Sequence, residues 1–341
     1  PADLNDVVDT LTELYHVKVH PTVTTLLGLT VDYDRPARTI TIPFPNFIKS
    51  LLTRVRPDGV KHADTPAVYT PPSYGRKGPQ LTTRLPPSTP ASDSEISQLR
   101  TIVGSLLYYA LAIDPAILPA VCALSCQQAC ATAHTIQAAD RLLGYVAKRP
   151  NTSITYRPSD MLLRAHSDAS YLSRPNSGSV AGGYNYLGNR QNPTVFNHPI
   201  LTFSTLIPVI VASATEAEYA AVCANCVLAC DVRHTLANMG YPQPPTPILT
   251  DNECAVGLAN GSLKIKMAKS INMRLHWVQD RVKRNQFTVS HIPGSTNIAD
   301  LFTKPLPNQS HHSLTCQLIH LQLLSVCLPS ALGATQTGVL M

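Results

Sequence analysis

Ser213-Ala-Thr-Glu-Ala-Glu-Tyr-Ala-Ala221 opens a helical run that continues to Met239. Ser213 is placed as the N-cap. Glu216, at the third helical position, is placed to reach back to the Ser213 amide, the reciprocal pattern of a capping box. That accounts for Glu216 and leaves Glu218 with no task at the helix start. Working outward, strand-like runs are expected at Leu162–His166, Gly182–Leu187, Val209–Ala212, Ile248–Thr250 and Phe287–Ser290. Helical patterns are expected at Ala214–Met239, Asn252–Leu258, Ser270–Arg284 and Ile298–Thr303. Strands gathered early, then a long helix and alternating elements, point to an α/β or α+β layered fold.

Four acids in this half stand at element boundaries. Asp168 ends the strand LLRAHSD, and Asp251 ends PILTD and precedes a helix. Glu218 lies in the first turns of the long helix, and Asp300 in the first turn of STNIADLFTK. Carboxylates at strand ends face the crevice where open sheets bind their ligands. Four converging there would repel one another unless cations neutralised them, and two divalent ions about 4 Å apart suit in-line attack on a phosphodiester. Taken singly, each acid reads as well as a surface group or a cap. Asp300 in particular could be the third residue of a helix capped by Asn297.

The chain has 341 residues with a net charge of +6, from 27 Lys and Arg against 21 Asp and Glu. The stretch 264–284 holds Lys264, Lys266, Lys269, Arg274, Arg281, Lys283 and Arg284 against Asp280 alone, so it carries the whole excess. Such a segment is either a polyanion-facing surface or a solvated helix whose apolar face, Ile271, Leu275, Val278 and Val282, packs on a sheet. The two readings are compatible. The nine cysteines form no disulfide framework. Cys223, Cys226, Cys230 and His234 have a zinc-like spacing, but on one helix they spread over about 16 Å at 1.5 Å per residue. They read as small apolar residues in a reducing compartment. No apolar run reaches the roughly 18 residues of a membrane span, and no signal peptide is visible.

The first half divides differently. Residues 1–55 read as a helix from Leu4 to Tyr15, short strands at Leu26–Asp32 and Thr39–Ile42, and a helix near Phe47–Val55. Eight prolines between Pro57 and Pro90 mark residues 56–92 as a linker or surface-hugging arm. Residues 93–150 read as three helices with an Ala/Leu/Cys interior, a packing unit with no catalytic signal. Residues 151–307 carry the acids. The tail, 308–341, holds an apolar patch from Leu318 to Leu328 with no assigned role. Pro1 in first place reads as the start of a piece of something longer.

The motifs SDASYLSRPNSGSVAGGY, VIVASATEAEYAA, ILTDNECAVGLANG and SHIPGSTNIADLFTKPLP, in this order, resemble the ribonuclease H domain of copia-type long-terminal-repeat retrotransposon polyproteins. VGSLLYYALAIDPAILPAV and RLLGYVAKRPNTSITY are similar to the segment joining reverse transcriptase to that domain. Residues 1–55 resemble the end of the polymerase palm and the start of its thumb. The resemblance spans residues 1–307. It implies a ribonuclease H-like fold, a five-stranded mixed sheet with flanking helices, and cleavage of the RNA strand of RNA–DNA hybrids with two Mg²⁺ ions, Mn²⁺ being an alternative. The implied catalytic and metal-binding residues are Asp168, Glu218, Asp251 and Asp300. Lys264, Lys266, Lys269 and Arg274 are the expected phosphate contacts. The implied partners are the hybrid and an upstream polymerase, in the cytoplasm or a retroelement particle and not secreted; oligomeric state is left open.

This sequence departs from the family at KSINMRLHW, where Ser270 and Asn272 stand in a stretch that often carries His and Asp. No Asp-Asp dipeptide occurs, so the chain is not expected to polymerise DNA. A competing reading is a non-catalytic, nucleic-acid-binding or structural remnant of a decayed element. A related metal nuclease of the same fold is opposed by the TEAEY and ADLFTK contexts.

Overall fold

The computed structural model describes residues 2–17, 19, 24–71, 88–174, 176–191, 197–263 and 269–318, with the backbone alone for 2–4 and 269–272. In the first part, helix α1 (Ala2–Leu14) precedes strands β1 (Thr25–Leu26), β2 (Leu29–Thr30), β3 (Asp32–Asp34) and β4 (Thr39–Pro43), then α2 (Phe47–Val55). The expected bundle follows as α3 (Asp93–Ala112), α4 (Leu118–Ser125) and α5 (Ala133–Ala147). Ser92 and Glu95 close a capping box on α3, and Asp114 caps the single 3-10 turn Pro115–Ile117 that leads into α4.

Strand β5 (Ser153–Tyr156) pairs antiparallel with β4 across Ile42↔Ile154, so the chain returns to its own beginning before the main sheet starts. Of the proline-rich arm, residues 60–67 lie against the bundle through Val60, Ala63 and Ala67, with residues 68–71 exposed. A Cβ on Gly144 would stand 2.0 Å from the Lys61 carbonyl, so only glycine lets the arm pass this close to α5.

The main sheet is built from β6 (Leu162–Arg174), β7 (Gly178–Gly188), β8 (Pro199–Leu206), β9 (Thr246–Thr250) and β10 (Phe287–His291), ordered β10-β9-β6-β7-β8. The first three strands form an antiparallel meander, while β9 and β10 run parallel to β6. Helix α6 (Ala214–Asn238) joins the β8 edge to β9, and α7 (Glu253–Ala259) and α8 (Lys269–Lys283) join β9 to β10. This is the expected ribonuclease H-like α/β fold.

One strand was misplaced by the sequence reading. The third strand is Pro199–Leu206, and Val209–Ala212 is an irregular approach to the α6 cap. The apolar run VIVA resembles a strand, but Val209 and Ile210 are exposed and Pro208 interrupts the chain just before them. The helix expected at Ile298–Thr303 is wound more tightly than expected, a 3-10 segment at Ile298–Phe302, and α9 (Asn308–Leu318) follows in the tail that had no assigned role. Residues 319–341 lie outside the described ones, as does most of the apolar patch expected from Leu318 to Leu328.

The sheet separates two cores. Leu163 and Ala165 pack with Tyr219, Val222, Cys226, Leu275 and Val278 beneath α6 and α8. One residue out of step, the other face presents Tyr184 and Tyr186 to Phe302, Leu301, Leu314 and the bundle, where Leu99, Leu106, Val121 and Leu142 are fully buried. Among the described residues, no helix is long and apolar enough to cross a membrane.

Candidate metal centre

The register of two parallel strands brings the first two acids together. His166 is aligned with Leu249, so Asp168 and Asp251, each two residues further on, come level on the same face. Asp251 stands just past the end of β9, but Asp168 is in the middle of β6, which runs on to Arg174 and does not end at the acid as expected. Asp300 arrives from a distant part of the sequence by a different device. Asn297 is fully buried, its side chain accepts the Ala299 amide and donates to the Ser167 carbonyl, 3.0 Å away. One asparagine therefore caps the 3-10 turn and fastens it to β6. The cap and metal-ligand readings of this turn are compatible, because capping uses Asn297 and leaves Asp300 free to face the other acids. Carboxylate oxygens of Asp168, Asp251 and Asp300 lie within 4.8 Å of one another.

Glu218 stands beside this triad. It is nine-tenths buried, and its Oε2 has no hydrogen-bond partner. Burial first, then the nearby charge of Asp251, pushes its carboxyl up to about 8, against the opposing pull of the Ala169 amide. Asp168 is raised well above the usual carboxylate range by burial, with Asp300 and Glu218 adding repulsion. Glu216 behaves as the capping argument requires, with one correction. Ser213 accepts the Glu216 amide, but the Glu216 carboxylate reaches past Ser213 to the Ala212 amide at 2.7 Å. The chain before the cap is turned so that the earlier amide is the one presented.

Four residues at the centre escaped the sequence reading. The Thr303 hydroxyl donates to Asp168 Oδ2, and Ser170 donates to the Thr303 carbonyl at 2.8 Å. Gly182 lies opposite Asp168 across β6 and β7, where a Cβ would come within 2.7 Å of Thr303 Cγ2 and 2.8 Å of Phe302 Cβ. Lys304 places Nζ 2.7 Å from Asp300 Oδ1 and 3.8 Å from Asp168 Oδ2. The spacing of Asp300 and Lys304, four apart, is visible in the sequence; their meeting with Asp168 is not.

Of the expected phosphate contacts, Lys264 and Lys266 lie outside the described residues, and so does the side chain of Lys269 at the start of α8. Arg274 is half-buried near Cys223, whose thiol burial pushes up and the guanidinium draws down. Further along α8, Arg281 stacks on Trp277 at 5.0 Å and Arg284 pairs with Asp280. Of the expected apolar face, Leu275 and Val278 are buried and Val282 is half-buried, while the side chain of Ile271 lies outside the described residues. The cysteine stripe is packing: Cys223 and Cys226 are buried in the core while His234 is exposed.

No family model matches the chain. It is 27% identical over 321 residues to the retrovirus-related Pol polyprotein from transposon RE1 of Arabidopsis thaliana, covering 93% of this chain and 20% of that protein. The corresponding polyprotein from transposon TNT 1-94 of Nicotiana tabacum is 23% identical over 284 residues, 83% of this chain and 20% of that protein. The chain thus spans about a fifth of the length of these relatives. Among solved structures it is similar to ribonuclease H1 of Halobacterium salinarum (TM-score 0.30, 17% identity, 42% of this chain and 94% of that one). It is also similar to LC11 ribonuclease H1 in complex with an RNA/DNA hybrid (TM-score 0.32, 16% identity, 41% and 93%). Over most of its length the chain is similar, at 23–28% identity, to the Pol polyproteins of copia-type retrotransposons, and its own sheet is ribonuclease H-like.

Proposed function

We propose that the chain is a divalent-metal-dependent ribonuclease H that hydrolyses the RNA strand of RNA–DNA hybrids. The observation that carries this reading is the meeting of Asp168, Asp251 and Asp300 within 4.8 Å, with the unpartnered buried Glu218 Oε2 beside them. An all-oxygen, all-carboxylate donor set suits hard cations such as Mg²⁺ or Mn²⁺. Burial without a partner is costly for an ionised carboxylate, and a ligated cation removes that cost. Asp168, Asp251, Asp300 and Glu218 are the residues that would hold the two ions.

When bound, such ions supply Lewis-acid stabilisation of the charge that develops on a phosphodiester under attack by water. The chain's own residues do the rest. Asp168 is held by Thr303, so its carboxylate is fixed before substrate arrives. Asp251 is backed by the loop before Asn297, where a Cβ on Gly294 would stand 2.9 Å from its Oδ2. Hydrolysis adds water across the P–O3′ bond and leaves a 3′-hydroxyl and a 5′-phosphate. Selection of RNA would come from contacts to 2′-hydroxyls across the wide minor groove of the hybrid. Lys264, Lys266, Lys269 and Arg274 are proposed as contacts to backbone phosphates, and the polymerase part of a longer polyprotein as the partner that delivers the hybrid.

The test is cleavage of a labelled RNA–DNA hybrid in Mg²⁺, beside RNA–RNA and DNA–DNA duplexes of the same sequence. Cutting confined to the RNA of the hybrid supports the reading. Binding of the hybrid with no cutting in Mg²⁺ or Mn²⁺ would point instead to a non-catalytic remnant.

A further inference from the structure

Lys304 sits in the centre by construction. The chain enters it from Thr303, whose carbonyl is held by Ser170 and whose hydroxyl is given to Asp168. Phe302, one residue earlier, is fully buried against Tyr184, with ring centroids 6.2 Å apart. Gly182 leaves the room in which residues 302 and 303 press onto β7. With both preceding residues fixed to the sheet, Lys304 is set beside the carboxylates and its Nζ stands between Asp300 and Asp168. It is the lysine or arginine that pairs with these acids among the described residues. Its side chain remains 40% exposed, so the flexible four-carbon stem has a way out.

A magnesium ion shared by Asp168 and Asp300 would lie about 2.0–2.1 Å from an oxygen of each. The ammonium, 2.7 Å from Asp300 Oδ1 and 3.8 Å from Asp168 Oδ2, already stands against both of these carboxylates. Two cations sharing these carboxylates would repel each other at short range in a partly buried site, so each weakens the hold of the other.

We propose that Lys304 is the resident counter-cation of the centre: it holds Asp168 and Asp300 together until a divalent ion arrives, gives both up to it, and so sets the concentration at which the ion binds. This rests on the reading of the acid cluster as a divalent-metal site. Lys304 acts through the carboxylates and is a positioning residue.

The direct test is calorimetric titration of MgCl₂ into the full chain without nucleic acid, for wild type, Lys304→Gln and Lys304→Arg, with thermal melts in EDTA and in saturating Mg²⁺. Removing the competing charge in Lys304→Gln should tighten Mg²⁺ binding by about tenfold. The same variant should melt lower in EDTA, where repulsion between Asp168 and Asp300 is unrelieved, and should gain more from Mg²⁺ than wild type gains. Lys304→Arg, which keeps the charge and grips carboxylates through a planar fork, should bind Mg²⁺ no more tightly than wild type. If wild type binds Mg²⁺ and Lys304→Gln binds it equally or more weakly, the counter-cation role is wrong and the metal reading stands. The role is also wrong if Lys304→Arg binds as tightly as Lys304→Gln. If wild type neither binds Mg²⁺ nor is stabilised by it, the metal reading itself fails, and this inference with it. A Lys304→Gln protein that does not fold in EDTA is compared through the Arg variant and through its melt in Mg²⁺.

Discussion

At the scale of single residues, two glutamates two positions apart have opposite fates. Glu216 and Glu218 differ by about 200° around the helix. One carboxylate closes the helix start on the Ala212 amide, and the other is buried beside the aspartates. Glu216→Ala should cost roughly 1 kcal/mol in a thermal melt and leave hybrid cleavage largely intact. Glu218→Gln should abolish Mg²⁺-dependent turnover without lowering the melting temperature. The pH dependence separates them further. A folded-state pKa of about 8 lies above the ordinary glutamate value, so between the two the native state binds the extra proton. In EDTA, stability should therefore fall as pH rises from about 4.5 to 8, and Glu218→Gln should flatten that slope. A Glu216→Ala protein that is inactive, with an active Glu218→Gln, would require the helix register to be redrawn. This division was legible because a capping box has a fixed spacing. Lys304 was not, since its second partner, Asp168, is remote in sequence and joined only through the fold.

At the scale of elements, strand register does most of the positioning. Asp168 and Asp251 come level because β6 and β9 run parallel from a shared pair, His166 and Leu249. The two strands themselves were legible near Leu162–His166 and Ile248–Thr250, though β7, β8 and α6 lie between them in the chain. The third strand could not be found so directly. Pro199–Leu206 lies at the sheet edge with an uneven burial pattern, while the neighbouring Val209–Ala212 has the apolar density of a strand without its pairing. An edge position weakens the alternation on which such readings depend. Gly182 shows how an element with no functional side chain can still control the centre. Gly182→Val would drive a side chain into Thr303 and Phe302, at a cost of about 1–3 kcal/mol. The expected outcome is a lower melting temperature and a loss of cleavage larger than the loss of stability explains, since residues 302–304 carry the contacts to Asp168 and Asp300. A Gly182→Val protein with wild-type turnover would show that this segment does not position the acids.

At the scale of the whole molecule, the two halves read from the sequence share one core. Tyr184, Tyr186 and Phe302 from the sheet side pack with Leu106, Val121 and Leu142 from the bundle, and α9 adds Leu314 and Leu318. Strand β5 pairs with β4, near the start of the chain. A change from helical to mixed periodicity near residue 150 was legible. The contact between the parts was not, because buried aromatic residues on a strand do not name the surface that covers them. A fragment of residues 151–318 should therefore melt well below the full chain and bind a hydrophobic dye, through Tyr184, Tyr186 and Phe302 laid bare. Equal melting temperatures would mean that the sheet is self-sufficient and the bundle an accessory.

The molecule gathers acids from remote segments into one centre, and hydrolysis there is the activity we propose. Its most direct test is Asp251→Asn in a hybrid-cleavage assay across a range of Mg²⁺ concentrations, with a parallel melt in EDTA. The substitution is nearly isosteric and removes one charge from a crowded anionic cluster, so the metal-free protein should melt at or above the wild-type temperature. Cleavage of the RNA strand should be lost at every Mg²⁺ concentration. Turnover near the wild-type rate in Asp251→Asn would contradict the account, because the acid aligned with Asp168 by the sheet itself would then have no part in the chemistry.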